Sequence, residues 1–453
     1  MLPVVARTVL RIQERLLGRR TFCIFEELRE SERWPREKLD ALRLERLREV
    51  VATAYRTTPY WRSVMDEHDI KAADINTLED LGRFPLLNKR TIRERREEMV
   101  WRREGRRVVL ARTSGSTNDA LEFYTSSNRE AHITAARMRG HAWVGIMPGD
   151  KELYFWAAPV EVNTQTYIKR IRDFLINNPF ANAVEITRDD VPKHYAAWQH
   201  LRPKCLFSYV SSLALFSKMA AELGLDLGQL QVLGLKAVVT TSEMLSPSDR
   251  RIIADAFGVP VYDSYGIREA GLIGHECDRF TMHTNDEQLI LETIDPQTLE
   301  ATHGEGELVV TSLISHVMPI IRYRTGDIVT LSRDPCPCGR TLHGIRVTGG
   351  RLNEFVVTRT GKWVSSVAFL YMCRSIRGIS ELQVRQDRLG EIRVLVVPEK
   401  NPPDDLVGQI LAQARRRLGN DDTVLVELVN QIAPVASNKY RFVVSKVVER
   451  LIS

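Results

Sequence analysis

The sequence contains no apolar run that approaches the roughly 18 residues a membrane-spanning helix needs. It also has no internal repeat, no low-complexity tract and only six cysteines in 453 residues. So few thiols in so long a chain argue against a disulfide framework. The N-terminus lacks the apolar segment and cleavage site of a signal peptide. We therefore expect a cytoplasmic protein with no transmembrane segment.

The charge is nearly balanced, with 64 basic and 58 acidic residues and a formal net charge of +6. This small excess of positive charge is not typical of a nucleic-acid-binding protein and favours small anionic ligands. Part of it lies near the N-terminus, at Arg11, Arg15, Arg19 and Arg20. Residues 4–17 have the spacing of a basic amphipathic helix, and we favour a packed or partner-binding helix there over membrane contact.

Strands and helices alternate from residue 151 to residue 262, which predicts a parallel α/β sheet with sites at the carboxyl ends of its strands. Past residue 285, strands separated by turns predict a small β subdomain. After residue 350 the pattern predicts a compact α+β module. We therefore predict an α/β protein with a large N-terminal domain, residues 1–349, of mixed and parallel sheets flanked by helices. A small α+β domain, residues 350–453, follows it.

A loop of small residues follows the apolar run Val108–Ala111, in the stretch Arg112–Tyr124 that reads RTSGSTNDALEFY. Residues 113–117 would present successive backbone N–H groups and several hydroxyls at one point, which is what a polyphosphate needs. The stretch is not a Walker A loop, because the G-x-x-x-x-G-K-[ST] spacing and its lysine are missing. Taken alone, it is also typical of an ordinary turn.

Two later stretches place polar groups after predicted strands. Tyr262–Glu269 carries an aromatic ring that could stack on a base and a carboxylate that could hold a divalent ion. Its alternative is a turn with a solvated glutamate. Arg322–Asp327 ends in a carboxylate that could accept hydrogen bonds from a ribose diol. An aspartate in an ordinary turn is the alternative.

Two further stretches lie between and within the predicted domains. Gly349-Gly350-Arg351 lies at the predicted boundary, where glycines would give a hinge its backbone freedom. Ser437–Arg441 carries Lys439 near the C-terminus. A single lysine in such a position is most often a surface charge.

Together and in this order, these five stretches resemble the adenylate-forming superfamily of acyl-CoA synthetases, peptide-synthetase adenylation domains and luciferases. Within that superfamily the chain is most similar to the phenylacetate–CoA ligase and CapK-like branch. Three more stretches resemble that branch: Ala54–Trp61, Leu78–Pro85 and Cys336–Thr341. The resemblance extends from about residue 40 to residue 446.

The resemblance implies ATP-dependent, AMP-forming activation of a carboxylic acid, an aryl or arylacetic acid, as an acyl-adenylate, followed by transfer to coenzyme A. It implies catalytic roles for Lys439, Glu269 and Thr117, with Mg²⁺ on Glu269. It also implies that the small domain is mobile and turns at residues 351–354 between the half-reactions. The implied ATP-binding residues are Thr113, Ser114, Gly115, Ser116, Thr117, Ser242, Glu243, Asp263, Ser264, Tyr265, Gly266, Asp327, Arg351 and Lys439. The acyl pocket would use Trp156, Tyr209 and Met244, which could equally be ordinary core.

The chain departs from the superfamily pattern at several positions. Asn118 and Asp119 replace the usual Gly and Lys-Pro after the loop, and Arg268 stands where a small residue is usual. The hinge carboxylate is replaced by Asn353 or Glu354. A carrier-protein thiol or an amine is therefore an alternative acceptor to coenzyme A, as in secondary-metabolite or polysaccharide biosynthesis. A non-catalytic nucleotide-binding or interaction protein is a second alternative, and a homodimer stays open.

A separate set of residues has the donor chemistry of a metal site. Cys336 and Cys338 form a C-x-C pair, and Cys277 and His283 lie about sixty residues earlier. Three thiolates and one imidazole suit a tetrahedral structural Zn²⁺ site. Part of the phenylacetate–CoA ligase-like branch has a similar Cys…His element before a Cys-x-Cys-Gly. Inert or redox-active thiols are alternatives, and His275 is an alternative ligand to His283.

Overall fold

The computed structural model describes residues 1–453 except for 103–107, 113–120, 157–166, 184–185, 187, 303, 352–354, 362, 366–368, 370–375, 433–441 and 452–453. The described helices are α1 (Pro3–Leu16), α2 (Thr21–Ser31), α3 (Arg36–Thr57), α4 (Pro59–Glu67), α5 (Lys89–Arg95), α6 (Ser127–Trp143), α7 (Tyr167–Leu175), α8 (Asp190–Leu201), α9 (Val210–Glu222), α10 (Gln229–Val232), α11 (Pro247–Phe257), α12 (Leu406–Leu418) and α13 (Lys446–Leu451). Short 3₁₀ turns cover Ala72–Asp74, Glu79–Arg83 and Arg96–Glu98.

The described strands are β1 (Val108–Arg112), β2 (Glu122–Ser126), β3 (Glu152–Trp156), β4 (Phe180–Asn182), β5 (Cys205–Tyr209), β6 (Ala237–Thr241), β7 (Val261–Ile267), β8 (Gly271–Glu276), β9 (Met282–Thr284), β10 (Leu289–Ile294), β11 (Glu305–Ser312), β12 (Tyr323–Ser332), β13 (Gly344–Arg351), β14 (Phe355–Val357), β15 (Trp363–Ser365), β16 (Ile379–Arg388), β17 (Glu391–Pro398), β18 (Thr423–Leu428) and β19 (Val443–Ser445).

Eleven of the described strands form one mixed sheet in the order β10-β11-β12-β13-β9-β8-β7-β6-β5-β3-β4. Strands β4, β3, β5, β6 and β7 are parallel to one another, as the alternating pattern predicted. All five residues of β5 are buried, as expected of a parallel strand covered on both faces. A cluster of apolar side chains from α8, α9 and α11 packs against β3, β5, β6 and β7.

Helix α11, which packs on the parallel strands, shows how local sequence determines where a helix begins and ends. Ser246 accepts a hydrogen bond from the backbone N–H of Asp249 at 3.0 Å, and Pro247 occupies the first turn. The helix ends at Gly258, whose φ of 69° lies in the left-handed region that favours glycine. The sequence predicts a helix over 246–257 that opens with Ser246 as its cap and Pro247 at the first helical position, and the structure agrees.

The antiparallel strands after residue 270 continue the same sheet and do not form a sheet of their own. Strands β7 and β8 pair antiparallel, with Ser264 opposite His275. Strands β8, β9 and β13 extend the ladder, and β12, β11 and β10 complete it. The strands predicted as a small β subdomain are therefore joined edge to edge with the parallel half.

A separate sheet lies near the C-terminus, with the order β18-β17-β16-β19 among the described residues. Helix α12 buries Leu406, Ile410, Ala414 and Leu418, one residue per helical turn, against this sheet. The sequence predicts a helix over 406–418, which are its observed bounds. The sequence also predicts a helix over residues 443–451, and this prediction is wrong at its start, because Val443–Ser445 is a strand that pairs parallel with β16. Tertiary pairing overrides local helical spacing there.

Helices α1 and α2 pack against α6 at the N-terminal side of the fold. Leu10, Phe25, Ala135 and Ile176 belong to the apolar cluster that joins them. Within the described residues we find no helix of sufficient length and hydrophobicity to cross a bilayer.

Candidate active site

The carboxyl ends of the parallel strands carry most of the predicted nucleotide-binding residues that the structure describes. Tyr265 lies near the end of β7, and Asp327 lies on β12 across the sheet. The Tyr265 hydroxyl donates a hydrogen bond to Asp327 Oδ2 at 2.5 Å. The structure therefore brings together two side chains that are 62 residues apart in the chain. Asp327 is buried, so this bond orients its carboxylate from within the protein.

Glu269 lies two residues beyond β7 and is 6% exposed. Its Oε1 accepts a hydrogen bond from the hydroxyl of the buried Tyr323, at 3.0 Å. A buried carboxylate with one oxygen held in this way keeps the other oxygen oriented, which is what a divalent cation needs. Tyr323 and Asp327 both belong to β12, so one strand supports both acidic groups.

The backbone around Glu269 is fixed by Arg129 of α6. The Arg129 guanidinium donates to the backbone carbonyls of Arg268 and Glu269, at 2.7 and 2.8 Å. A third bond, 3.1 Å long, goes to the hydroxyl of Ser315. Burial lowers the pKa of Arg129. Arg268 is exposed, and the phosphate or substrate contact predicted for it stays a prediction.

Asp263 and Ser264 are engaged within the sheet. The hydroxyl of Thr240 and the backbone N–H of Ser264 donate to Asp263 Oδ1, at 2.9 and 3.0 Å. The Ser264 hydroxyl donates to the backbone carbonyl of Thr240 at 2.9 Å. Burial, reinforced by the nearby Glu276 carboxylate, raises the pKa of Asp263 to about 8. Their predicted role in binding ATP stays a prediction, as does that of Gly266 on the same strand.

Two predicted residues follow β6. Ser242 has a φ of 69°, unusual for a residue other than glycine, which turns the chain sharply at the strand end. The Glu243 carboxylate accepts hydrogen bonds from the backbone N–H and the hydroxyl of Ser211, at 2.7 and 2.9 Å. A carboxylate at the first turn of α9 is favoured there by the helix dipole.

Of the residues predicted for the acyl pocket, the two aromatic ones are in contact with each other. The rings of Trp156 and Tyr209 meet edge to face, with centroids 5.0 Å apart. Phe207 lies 5.5 Å from Trp156 and extends the cluster. Met244, in the loop after β6, is 37% exposed. The cluster lies at the ends of β3 and β5, beside the strands that carry the nucleotide-binding candidates.

Several predicted residues lie outside the described part of the chain. They are Thr113, Ser114, Gly115, Ser116, Thr117, Asn118, Asp119, Asn353, Glu354 and Lys439. Arg351 is the last residue of β13, where its backbone pairs with Asp327. Gly349 belongs to the same strand, opposite Ile328. The roles predicted for all of these residues stay predictions.

The four predicted metal ligands converge on one point. The donor atoms of Cys277, His283, Cys336 and Cys338 all lie within 4.8 Å of one another. The sulfurs of Cys277 and Cys336 are 3.9 Å apart. A tetrahedral zinc with Zn–S bonds of about 2.3 Å would separate two sulfurs by about 3.8 Å, so the spacing fits. The His283 Nε2 atom lies 3.2 Å from Cys338 Sγ and faces the cluster.

Neighbouring groups orient this cluster. His283 Nδ1 lies 3.2 Å from the backbone carbonyl of Leu342, which can accept a hydrogen bond from Nδ1–H and leave Nε2 as a ligand. His275 is not part of the cluster. Its Nδ1 bonds the backbone carbonyl of Glu276 at 2.7 Å, and burial lowers its pKa to about 3. The donor atoms that lie within 4.8 Å of one another include those of His283 and not those of His275, so the geometry favours His283 as the fourth ligand.

Known proteins match this chain in sequence and in fold. The CapK C-terminal domain family matches residues 356–446. Phenylacetate–coenzyme A ligase of Thermus thermophilus is 27% identical over 362 residues, which is 73% of this chain and 74% of that protein. Protein CapK of Staphylococcus aureus is 19% identical over 404 residues, covering 86% of each chain. These matches bear out the resemblance to the phenylacetate–CoA ligase and CapK-like branch of the adenylate-forming superfamily.

A solved structure supports the superfamily fold over almost the whole chain. It is 2-hydroxyisobutyryl-CoA ligase in the postadenylation state, in complex with R3-HIB-AMP. The TM-score is 0.73 at 21% identity, and the match covers 93% of each chain. At this identity the match establishes the shared adenylate-forming fold alone.

The sequence patterns did not predict two residues that support this site. Tyr323 belongs to the stretch that carries Asp327, but nothing in its spacing indicates a bond to Glu269. Arg129 lies on α6, and the sequence predicts a helix over 128–144, on which a charged residue normally faces solvent. Only the packing of α6 on the sheet reveals that Arg129 is 3% exposed and bonded to backbone.

Proposed function

We propose that this protein is an AMP-forming acid–thiol ligase that activates a carboxylic acid with ATP and transfers the acyl group to coenzyme A. The observation that carries the proposal is the pairing of Tyr265 with Asp327 beside the buried Glu269. These three side chains supply a stacking ring, a carboxylate for a ribose diol and a carboxylate for a cation. The aromatic contacts of Trp156 with Tyr209 favour an aryl or arylacetic acid as substrate.

In the proposed reaction the acid's carboxylate attacks the α-phosphorus of ATP in line and displaces pyrophosphate. Negative charge develops on the phosphoryl oxygens, and a divalent cation near Glu269 would neutralise part of it. Tyr323 holds the Glu269 carboxylate, while Arg129 holds its backbone. Lys439 would add a second positive charge from the small domain, and the residues 113–117 would bind the phosphates.

We also propose that residues 1–349 and 350–453 are the large and small domains and that the small domain turns at residues 351–354. Its sheet and the helix α12 form an apolar cluster of their own, which supports a separate folding unit. A turn of this kind would bring Lys439 to the nucleotide for the first step and remove it for the second. The cytoplasmic location and the homodimer stay predictions.

Pyrophosphate exchange into ATP, measured across a panel of aryl and alkyl acids, tests the first half-reaction and ranks substrates. Lys439→Ala is expected to reduce exchange by about a hundredfold or more, because one charge-stabilising group is lost. ATP binding should remain. Lys446→Ala is the matched control, since Lys446 is an exposed lysine paired with Asp387 at 2.8 Å. Equal exchange in the Lys439 variant and the wild type would exclude the catalytic role.

The second half-reaction is tested with three acceptors. Coenzyme A, a phosphopantetheinylated carrier protein and a primary amine are each supplied with the best acid and ATP. We expect thioester formation with coenzyme A. Acylation of the carrier or the amine alone would identify the alternative tailoring enzyme. Tight ATP binding without exchange for any acid would support the non-catalytic nucleotide-binding protein.

We further propose a structural zinc ion held by Cys277, His283, Cys336 and Cys338. The convergence of four donor atoms and the oriented imidazole support it. When bound, the ion would link β8, β9 and the segment before β13. Thr341 of that segment donates to the backbone carbonyl of Trp34 at 2.6 Å, so the link would extend to the N-terminal helices.

A further inference from the structure

Helix α1 presents an outer face that the proposed ligase activity does not use. At about 100° per residue, the exposed positions occupy one continuous arc of the helix. They are Val4, Val5, Thr8, Arg11, Ile12, Arg15 and Leu16, and together we call them the α1 outer face. Val5, Ile12 and Leu16 form one edge of this arc, and Arg11 and Arg15 lie along the other.

The α1 outer face is unusually apolar for a surface in water. Val4 is 71% exposed, Ile12 is 53% exposed and Leu16 is 83% exposed. Leu2, just before the helix, is 73% exposed. Contiguous exposed apolar side chains on a soluble protein mark a site of contact with another molecule or with a membrane.

The opposite face holds α1 firmly on the protein. Ala6, Leu10 and Glu14 are buried there, and Leu10 joins the cluster with α2 and α6. Arg7 donates to the backbone carbonyl of Pro148 at 2.9 Å. A Cβ atom added at Gly149 would lie 2.3 Å from the carbonyl oxygen of Pro3, so the start of the helix requires glycine at this contact. The outer face is therefore already formed and does not need the helix to detach.

The charges on this face are of one sign. Arg11 and Arg15 are both exposed, and the one acidic residue of the helix, Glu14, is buried and accepts hydrogen bonds from Thr21 and Arg19. The Arg11 guanidinium lies 4.8 Å from the centre of the Phe22 ring, which holds it on the surface. Arg20, which follows the helix, pairs with Glu27 at 3.6 Å.

A neighbouring helix carries further exposed apolar side chains. On α7, Ile171, Phe174 and Leu175 share one face and are 45%, 62% and 37% exposed. Just after α7, the Asn177 side chain donates to the backbone carbonyl of Met1 at 3.1 Å, which ties this helix to the start of α1.

We propose that the α1 outer face docks this protein on an anionic lipid surface. Apolar side chains would enter the boundary between headgroups and acyl chains, while Arg11 and Arg15 would meet the lipid phosphates. A second copy of the chain fits this face less well. A two-fold symmetric interface would gather Arg11 and Arg15 of both copies in one contact in which this face offers no exposed carboxylate, and like charges there repel. Charge complementarity therefore selects the membrane as the partner.

The test is co-sedimentation of the full-length protein with vesicles of phosphatidylcholine, with and without phosphatidylglycerol, at low and high ionic strength. We expect binding to the anionic vesicles that weakens with salt. Each arginine near an anionic surface raises partitioning by about fivefold, so Arg11→Ser with Arg15→Ser should lower it by roughly twenty-five-fold. Ile12→Ser with Leu16→Ser should lower it as well.

Matched controls lie elsewhere on the surface. Arg415→Ser with Arg416→Ser removes two exposed arginines of α12, and Val232→Ser removes a valine that is 78% exposed. Neither control should change vesicle binding, and all variants should keep the wild-type melting temperature because the altered side chains are exposed. Three results would overturn the proposal. They are no binding to anionic vesicles, equal binding to neutral ones, or a wild-type dimer that the Ile12/Leu16 double variant converts to monomer.

Discussion

Replacing Cys277 by serine should remove a zinc ion from the protein and lower its stability. Cys277 is fully buried, and its sulfur lies 3.9 Å from that of Cys336. A serine hydroxyl is a poor zinc ligand at neutral pH, so three donors would remain where a structural site needs four. We expect about one zinc per chain in the wild type and far less than one in the variant.

The size of the stability change follows from linkage between metal binding and folding. An ion that binds only the folded state, at a free concentration about 1,000 times its dissociation constant, adds about 4 kcal/mol to the free energy of unfolding. The variant should lose this contribution. Because the cluster joins β8, β9 and the segment before β13, the variant should unfold at a lower temperature than the wild type. Pyrophosphate exchange at low temperature should change little, since the ion is proposed as structural.

Elemental analysis of the purified protein and thermal unfolding with and without a chelator measure both effects. Cys205→Ala is the matched control, because Cys205 is an equally buried thiol outside the cluster. It should keep its zinc and lose only about 1 kcal/mol for the smaller side chain. A wild-type protein without zinc, or a Cys277→Ser protein that retains it, would refute the reasoning.

Three further predictions concern the nucleotide site. Glu269→Gln should lower pyrophosphate exchange by about a hundredfold and raise the Mg²⁺ concentration that the exchange needs, because the cation would lose its carboxylate ligand. An unchanged Mg²⁺ dependence would contradict this prediction. Tyr265→Phe removes the hydroxyl bonded to Asp327 and should raise the KM for ATP by about tenfold, with kcat changed less. Asp263→Asn should flatten the pH dependence of stability. Burial raises the pKa of Asp263 from 3.8 to about 8, so its stabilising contribution is complete below 3.8 and is lost as pH rises through about 8. The measurement is denaturant unfolding of wild type and variant at several pH values between 3.8 and about 8, and an equal loss of stability in both proteins would show that the assignment is wrong.

Much of the secondary structure could be predicted because local patterns determine it. The spacing of Leu406, Ile410, Ala414 and Leu418 predicts α12 with its observed bounds. The strand at Val443 could not be predicted in this way, because its hydrogen bonds come from β16, about sixty residues away in the chain. Local spacing carries no information about such a partner.

The sequence alone determined which chemical groups are available: an ordered set of motifs, three cysteines and two candidate histidines for a metal, and a basic N-terminal helix. Only the tertiary structure decided which of these groups meet. It selected His283 over His275, brought Tyr265 to Asp327 and showed which face of α1 meets solvent. The reason is that hydrogen bonds and metal sites depend on distances of a few ångströms between residues far apart in the chain, and packing of the sheet and its helices sets those distances.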